Sequence, residues 1–84
     1  MPNNYYISKR YYIDSENYIE RYWNGDGFSM YKATAKKYAN INMASDIAYM
    51  LRSIANIQDE QSVKYVIHAL RNNTLVTCME VNDD

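Results

Sequence analysis

Residues 5–23 read YYISKRYYIDSENYIERYW and hold six of the chain's ten tyrosines and its only tryptophan. Over residues 5–13 the side chains alternate between two rows, and polar residues separate the aromatic ones. One row holds Tyr5, Ile7, Tyr11 and Ile13 with Lys9 interrupting it, and the other holds Tyr6, Ser8, Arg10 and Tyr12. A period of two in aromatic and β-branched residues predicts a half-buried strand.

A second strand is predicted over residues 18–23, after a turn at DSEN (14–17). Antiparallel pairing of the two strands places tyrosines opposite tyrosines. NGDG (24–27) is the strongest turn signal in the chain, and a short third extended piece is predicted over 28–31. KATAKKYAN (32–40) has a helical composition but is brief, and its structure stays open.

A helix is predicted over about 43–56, with Asn42 as its N-cap. One helical face collects the apolar residues at the spacing of an amphipathic helix. These residues are Ala44, Ile47, Ala48, Leu51, Ile54 and Ala55.

The last third of the chain allows two interpretations. After a polar connection (57–62), residues 63–70 and 74–81 fit two strands joined by a turn at 71–73. A short helix near 60–70 is the alternative, because its apolar residues also fit a period of 3.6. Residues 80–84 (EVNDD) are expected to form an acidic tail.

The predicted fold class is therefore α+β: a single domain, 1–84, in which a small antiparallel sheet packs on one main helix. A chain of this length builds one small core. One helix covers one face of a sheet, so the other face and its tyrosines are expected to stay open.

Charge and cysteine content favour a cytoplasmic protein without a membrane segment. The net charge is −1, with a balance of +2 over residues 1–40 and −3 over residues 41–84. The single cysteine, Cys78, cannot form an internal disulfide. No apolar run reaches the length of a membrane span, and the N-terminus has no signal-peptide core.

Catalytic and metal-binding patterns are weak, so we predict no enzyme activity, no cofactor and no metal. One histidine and one cysteine supply too few ligands for a metal. Gly-Asp-Gly at 25–27 lacks the pattern of a phosphate or calcium loop. The remaining catalytic hypothesis pairs Cys78 as nucleophile with His68, without a recognisable third group.

A binding surface is the best prediction for function. Aromatic and cationic residues interleave in the first two strands, and we predict the partner contacts to be Tyr6, Arg10, Tyr12, Arg21 and Trp23. These residue types dominate protein interfaces. The same mixture suits single-stranded nucleic acid, which is the alternative partner. A second copy of the chain, giving a homodimer, is a further way to cover such a face.

The order of segments resembles that of small accessory proteins encoded by bacteriophages of Gram-positive bacteria. A YYI-type strand and a second aromatic strand are followed by KATAKKYA, an Ala-rich helix (NMASDIAYML) and a final strand (TLVTCMEV). This resemblance implies an inhibitor of a host bacterial defence protein, of the anti-CRISPR type, that occludes a CRISPR effector nuclease in the host cytoplasm. With a net charge of −1, docking is expected to depend on shape and aromatic contacts.

Overall fold

In the part of the chain that the structure describes, five antiparallel strands form one sheet, and one α-helix packs on one face of it. The computed structural model describes residues 4–57, 62–71 and 74–81. In chain order the elements are β1 (Asn4–Tyr12), β2 (Tyr18–Trp23), β3 (Phe28–Ser29), a 3-10 turn (Lys32–Thr34), α1 (Ile41–Ile57), β4 (Val63–Arg71) and β5 (Thr74–Val81). The strand order is β3-β2-β1-β4-β5, with β1 at the centre. The predicted α+β class is confirmed.

The β1–β2 hairpin forms as its sequence predicts. Tyr12 lies directly opposite Tyr18, next to the turn. The turn is held by Asp14, whose Oδ1 accepts the backbone N–H groups of Glu16 at 2.8 Å and Asn17 at 2.9 Å. An aspartate that satisfies backbone donors two and three residues ahead is a stable way to reverse the chain.

The turn after β2 uses an asparagine in the same way. Asn24 Oδ1 accepts the N–H groups of Asp26 at 2.9 Å and Gly27 at 2.8 Å. Gly25 has a φ of +98°, a conformation that glycine adopts without a steric cost. The short strand that follows ends at Ser29, two residues earlier than predicted.

Helix α1 packs its small residues against β1, β4 and β5. Alanine on the contact face lets the helix approach the sheet closely, and Ile7 and Ile67 below it have no exposed surface. The core consists of Ile7, Tyr38, Ala44, Ala48, Leu51, Ala55, Val63, Tyr65, Ile67 and Val81.

The predicted N-cap of α1, Asn42, is wrong by two residues. The helix begins at Ile41, and Asn40 caps it. The side-chain oxygen of Asn40 accepts the N–H groups of Asn42 at 2.7 Å and Met43 at 3.2 Å. Both asparagines suit a cap, and the backbone conformation decides which one serves.

The alternative helix near 60–70 is also wrong over the described part of that range. Residues 63–71 form β4, which pairs with β1 on one side and β5 on the other. Val66 and Ile67 point to opposite faces and are both inaccessible to solvent. A strand that is buried on both faces loses its alternation, and its apolar spacing then resembles that of a helix. Residues 58–61, 72–73 and 82–84, where a connection, a turn and a tail were predicted, lie outside the described residues.

Lys9, which interrupts the apolar row of β1, is buried within a group of aromatic rings. Its Nζ atom lies 4.7 Å from the ring centre of Tyr11, 5.3 Å from that of Phe28 and 5.6 Å from that of Tyr65. The faces of aromatic rings attract a cation, so these rings stabilise a charge at the margin of the core. The long stem of the lysine packs as an apolar side chain.

The outer surface of α1 carries several exposed apolar side chains, among them Met43, Tyr49, Met50 and Ile54. Within the described ranges, no helix combines the length and the apolar character that a membrane crossing requires.

Candidate binding surface

The face of the sheet that points away from α1, called here the reverse face, is divided into a buried part and an exposed part. Strand alternation places the even-numbered residues of β1 on this face, since Ile7 lies in the core beneath the helix. The register brings β2 and β4 residues beside them. The described residues of this face are Tyr6, Ser8, Arg10, Tyr12, Tyr18, Glu20, Tyr22, Lys64, Val66 and His68.

The buried part is built around a serine, a carboxylate and a histidine. Ser8 Oγ donates to Glu20 Oε2 at 2.8 Å and lies 2.7 Å from His68 Nε2. Arg10 Nε donates to the same carboxylate oxygen at 2.8 Å. Tyr22 Oη donates to the other oxygen, Oε1, at 3.3 Å. We call Ser8, Glu20 and His68 the polar cluster.

The hydrogen-bond geometry of the polar cluster determines which of its atoms carry a hydrogen. A hydroxyl group has one hydrogen, and Ser8 gives it to Glu20, which accepts only. His68 Nε2 must then carry a hydrogen and donate it to Ser8 Oγ. His68 Nδ1 is left as an acceptor, and it has no hydrogen-bond partner among the described residues.

The charges of the cluster follow from its burial and its contacts. Burial lowers the pKa of His68, and the nearby carboxylate of Glu20 only partly opposes this effect. Burial alone would raise the pKa of Glu20, but hydrogen bonds from Arg10 and Ser8 outweigh it, so the pKa lies below its ordinary value. The cluster therefore contains a neutral imidazole and an ionised carboxylate at neutral pH.

Tyr6 completes the buried part. Its ring stacks on that of His68, with centres 4.9 Å apart and planes at 16°. Lys37 Nζ lies 5.3 Å from the centre of the Tyr6 ring, so part of the chain after β3 approaches this end of the face. Burial, with Tyr22 and Glu20 nearby, raises the pKa of Tyr6 to about 12. Its hydroxyl has no hydrogen-bond partner among the described residues.

The spacing of Ser8 and His68 is that of a nucleophile and its base, but the rest of the arrangement differs from a hydrolytic triad. In a triad the carboxylate accepts from the imidazole nitrogen that faces away from the serine. Here Glu20 Oε2 lies 3.5 Å from Nε2, the nitrogen next to Ser8. Ser8 has no exposed surface and His68 is 2% exposed. A substrate carbonyl has no route to the hydroxyl, so the geometry supports a structural role for the cluster.

Four residues form the exposed part, near the β1–β2 turn: Tyr18 and Lys64 are exposed, and Arg10 and Tyr12 are half-buried. The rings of Tyr12 and Tyr18 contact each other, with centres 5.2 Å apart and planes at 49°. Arg10 Cζ lies 4.6 Å from the centre of the Tyr18 ring. Lys64 Nζ lies 5.3 Å from the centre of the Tyr12 ring. We call Arg10, Tyr12, Tyr18 and Lys64 the tyrosine platform.

Carboxylates already pair with both cations of the platform. Arg10 forms its ion pair with Glu20, and Lys64 Nζ lies 3.7 Å from Glu80 Oε2. The Glu20 pairing raises the pKa of Arg10, against the opposing effect of burial. The platform therefore offers two amphipathic rings on a surface whose local charges are balanced.

A shallow groove of about 580 Å³ adjoins the platform at the end of the hairpin. Tyr12 and Lys64 belong to both the platform and the groove. The groove is lined by Tyr12, Ile13, Asp14, Ser15, Ser62, Val63 and Lys64.

The structure brings together only some of the predicted contact residues. Arg10 and Tyr12 lie on the platform, whereas Tyr6 on the same face is 1% exposed. Arg21 and Trp23 project from the opposite face, on the side of α1. Trp23 packs against the core, and its Nε1 donates to Tyr38 Oη at 3.0 Å.

Sequence reasoning omitted two members of the platform, Tyr18 and Lys64. The hairpin register was enough to find Tyr18, since it lies opposite Tyr12. Lys64 comes from β4, and no local pattern in the sequence indicates that β4 lies beside β1.

Among the residues that the structure describes, no group of three or more His, Cys, Asp or Glu side chains is placed to hold a metal ion. Cys78 lies in β5, and its side chain is outside the described part of the chain. No protein-family model matches this sequence, and comparison with curated proteins and with solved structures gave no significant match.

Proposed function

We propose that the protein is a non-catalytic binding protein that occludes a surface of a host bacterial protein. The tyrosine platform is the observation that carries the proposal. Tyr12 and Tyr18 are large side chains, one half-buried and one 41% exposed, and they contact each other. A tyrosine ring supplies contact area at a low cost in conformational entropy, so two adjacent rings suit the centre of a protein interface.

A bacterial defence protein, such as a CRISPR effector nuclease, is the partner class that we propose. This choice rests on the resemblance to small phage-encoded accessory proteins in the order of strands and helix. The inhibitor would act in the cytoplasm of the host, by stoichiometric occlusion. A net charge of −1 favours contact through shape and aromatic rings over mimicry of a nucleic acid.

A single-stranded nucleic acid is the less favoured partner for the same platform. Binding to phosphates needs cations that are available to replace counterions. Arg10 and Lys64 are instead paired with Glu20 and Glu80. Binding to an oligonucleotide at low salt, falling steeply as salt increases, would favour the nucleic acid over the protein partner.

The test compares the wild-type chain with Tyr12→Ala/Tyr18→Ala. Purified CRISPR effector nucleases are assayed for cleavage with increasing amounts of each protein, and partner proteins are captured from a phage-susceptible bacterial lysate. We expect the wild type to inhibit fully at an equimolar amount, and the double variant to bind at least about a hundredfold more weakly, as for the loss of two hot-spot residues.

The matched control is Tyr31→Ala/Tyr49→Ala, which removes two exposed tyrosines that lie outside the platform. This variant should bind as the wild type does. Equal binding by the platform variant and the wild type, with both folded by circular dichroism, would exclude the platform as the contact surface. The absence of inhibition and capture by the wild type would overturn the proposed function.

A further inference from the structure

The outer side of β2 has a neighbouring strand over only part of its length. β3 pairs with β2 through Tyr22↔Ser29 and Trp23↔Phe28, and the strand order places β2 between β1 and β3 alone. Within the described ranges, residues 18–21 therefore have no strand on their outer side. We call this segment the open edge. The 3-10 turn (Lys32–Thr34) also contacts β2, but no backbone hydrogen bond joins that turn to residues 18–21.

The hydrogen bonds of the hairpin show which backbone groups the open edge presents. Ile13 N–H donates to the Asn17 carbonyl at 2.8 Å, which places these residues at a hydrogen-bonded position of the ladder, although the Asn17 N–H itself donates to Asp14 Oδ1. Such pairs alternate along an antiparallel ladder. Every second residue after Asn17 therefore turns its backbone groups toward β1, whereas Tyr18 and Glu20 turn theirs outward. The pairing of Tyr22 with β3 fits this alternation.

The side chains beside the open edge add an apolar contact and a positive charge. Ile19 is 44% exposed, on the side of the sheet where the main contacts of α1 are with β1, β4 and β5. Arg21 Nη1 donates to the outward carbonyl of Glu20 at 3.1 Å. Among the described residues, no carboxylate lies within salt-bridge distance of Arg21, unlike Arg10 and Lys64.

We infer that the open edge binds an extended segment of the partner protein, which adds a strand to the sheet in line with β3. The segment carries an acidic side chain opposite Arg21 and an apolar side chain two positions away, opposite Ile19. Backbone hydrogen bonds to Tyr18 and Glu20 provide binding, and the alternate side chains provide selectivity. This inference rests on the proposed function, because it gives the partner protein a mode of binding.

Charge favours a different protein over a second copy of this chain. In the two-fold antiparallel pairing that is centred on Ile19, the outward residues Tyr18 and Glu20 of the two open edges pair with each other. Ile19 then faces Ile19 of the second copy, and Arg21 faces Asn17. No carboxylate lies directly opposite Arg21 in that arrangement, whereas an acidic strand from another protein supplies one.

The experiment titrates isotope-labelled full-length protein with the acetylated, amidated peptide Thr-Glu-Thr-Val-Tyr-Thr, followed by NMR. Paired antiparallel, its glutamate can face Arg21 while its valine faces Ile19. We expect the amide signals of Tyr18 and Glu20 to shift and to exchange more slowly with solvent. A control peptide with lysine in place of glutamate should bind at least about tenfold more weakly.

Arg21→Gln is the matched protein variant, since it keeps a long polar side chain and removes the charge. It should reduce the preference for glutamate over lysine to about twofold or less. Unchanged Tyr18 and Glu20 amides at saturating peptide, or equal affinity for the two peptides, would overturn the inference. The titration contains no host protein. If the peptide binds as expected but nuclease inhibition and capture fail, the proposed function alone is refuted. If inhibition and capture succeed but the peptide does not bind, the inference alone is refuted.

Discussion

Ser8 and His68 lie diagonally across β1 and β4, with Ser8 Oγ 2.7 Å from His68 Nε2. The residue directly opposite His68 is Tyr6, and Ser8 lies two residues further along β1, on the same face of the sheet. On its other side Ser8 reaches Glu20 in β2. The Ser8 hydroxyl thus links the adjacent strands β1, β2 and β4 through hydrogen bonds in the buried part of the reverse face.

Ser8→Ala should destabilise the fold by about 1–3 kcal/mol, because it leaves the buried His68 Nε2 without its hydrogen-bond partner and removes one hydrogen bond to Glu20. Urea unfolding followed by circular dichroism measures the change. Ser53→Ala, an exposed helix position, is the control and should change stability by less than about 0.5 kcal/mol. Equal effects of the two substitutions would show that the polar cluster contributes little to stability.

Stability should fall as the pH drops below about 6.5, because His68 is the only histidine and burial lowers its pKa in the fold. In this range the unfolded chain binds a proton that the native state does not. Glu20, with a pKa below its ordinary 4.5 in the fold, adds a second loss of stability below that pH. Lys32 and Arg10 also disfavour a charged imidazole, whereas Glu20 favours it.

The measurement compares the free energy of unfolding at about pH 7.5 and about pH 5.5, on either side of the ordinary histidine pKa. The wild type should lose stability between these values, by at most about 1.4 kcal/mol per pH unit. His68→Gln should be less stable than the wild type at the higher pH and nearly insensitive to this change. A wild-type stability that stays constant between the two values would contradict the neutral, buried imidazole.

The helix and the strands were easier to predict from the sequence than the burial of their side chains. The β1–β2 hairpin was predictable because the alternation of its strands and its aspartate-based turn are local features of the sequence. The asparagine-based turn after β2 was predictable for the same reason. β4 was ambiguous because burial on both faces, seen at Val66 and Ile67, removes the alternation. The cap at Asn40 was missed because two asparagines lie two residues apart.

The candidate surface was only partly predictable, because exposure depends on distant residues. Tyr6 and Tyr12 have the same residue type and lie on the same face of β1. Tyr6 is covered by contacts with His68 and Lys37, which are far away in sequence, and Tyr12 is not. Arg21 and Trp23 were grouped with Arg10 by sequence proximity, although the alternation of β2 relative to β1 places them on the other face.

Trp23 is expected to act in the core and not at the partner surface. Trp23→Ala should cost about 2–4 kcal/mol, since it removes contacts with the core and the hydrogen bond to Tyr38. Trp23→Phe keeps an aromatic ring and should cost less, about 1–2 kcal/mol. Chemical unfolding followed by circular dichroism measures both variants.

Partner capture separates this role from a contact role. Folded Trp23→Phe should capture the partner as the wild type does, whereas Tyr12→Ala/Tyr18→Ala should not. A loss of capture by Trp23→Phe that is still folded would show that Trp23 contacts the partner.

The two glycines of the turn after β2 should respond differently to alanine. Gly25 has a φ of +98°, and a Cβ added there would lie 3.0 Å from Lys36 Cδ. A Cβ at Gly27 would meet no heavy atom within 4 Å. Gly25→Ala should therefore cost about 1–2 kcal/mol, because an L-residue is strained in the left-handed region.

Gly27→Ala should be neutral or stabilise the fold by up to about 1 kcal/mol, because it restricts the unfolded chain without a clash. Thermal unfolding of the two single variants beside the wild type measures both effects under the same conditions. If the two variants unfold at the same temperature, the turn does not impose the backbone conformation that positions β3 against β2. In that case this turn would not be what limits the pairing of β3 to Tyr22 and Trp23 and leaves the open edge without a neighbouring strand.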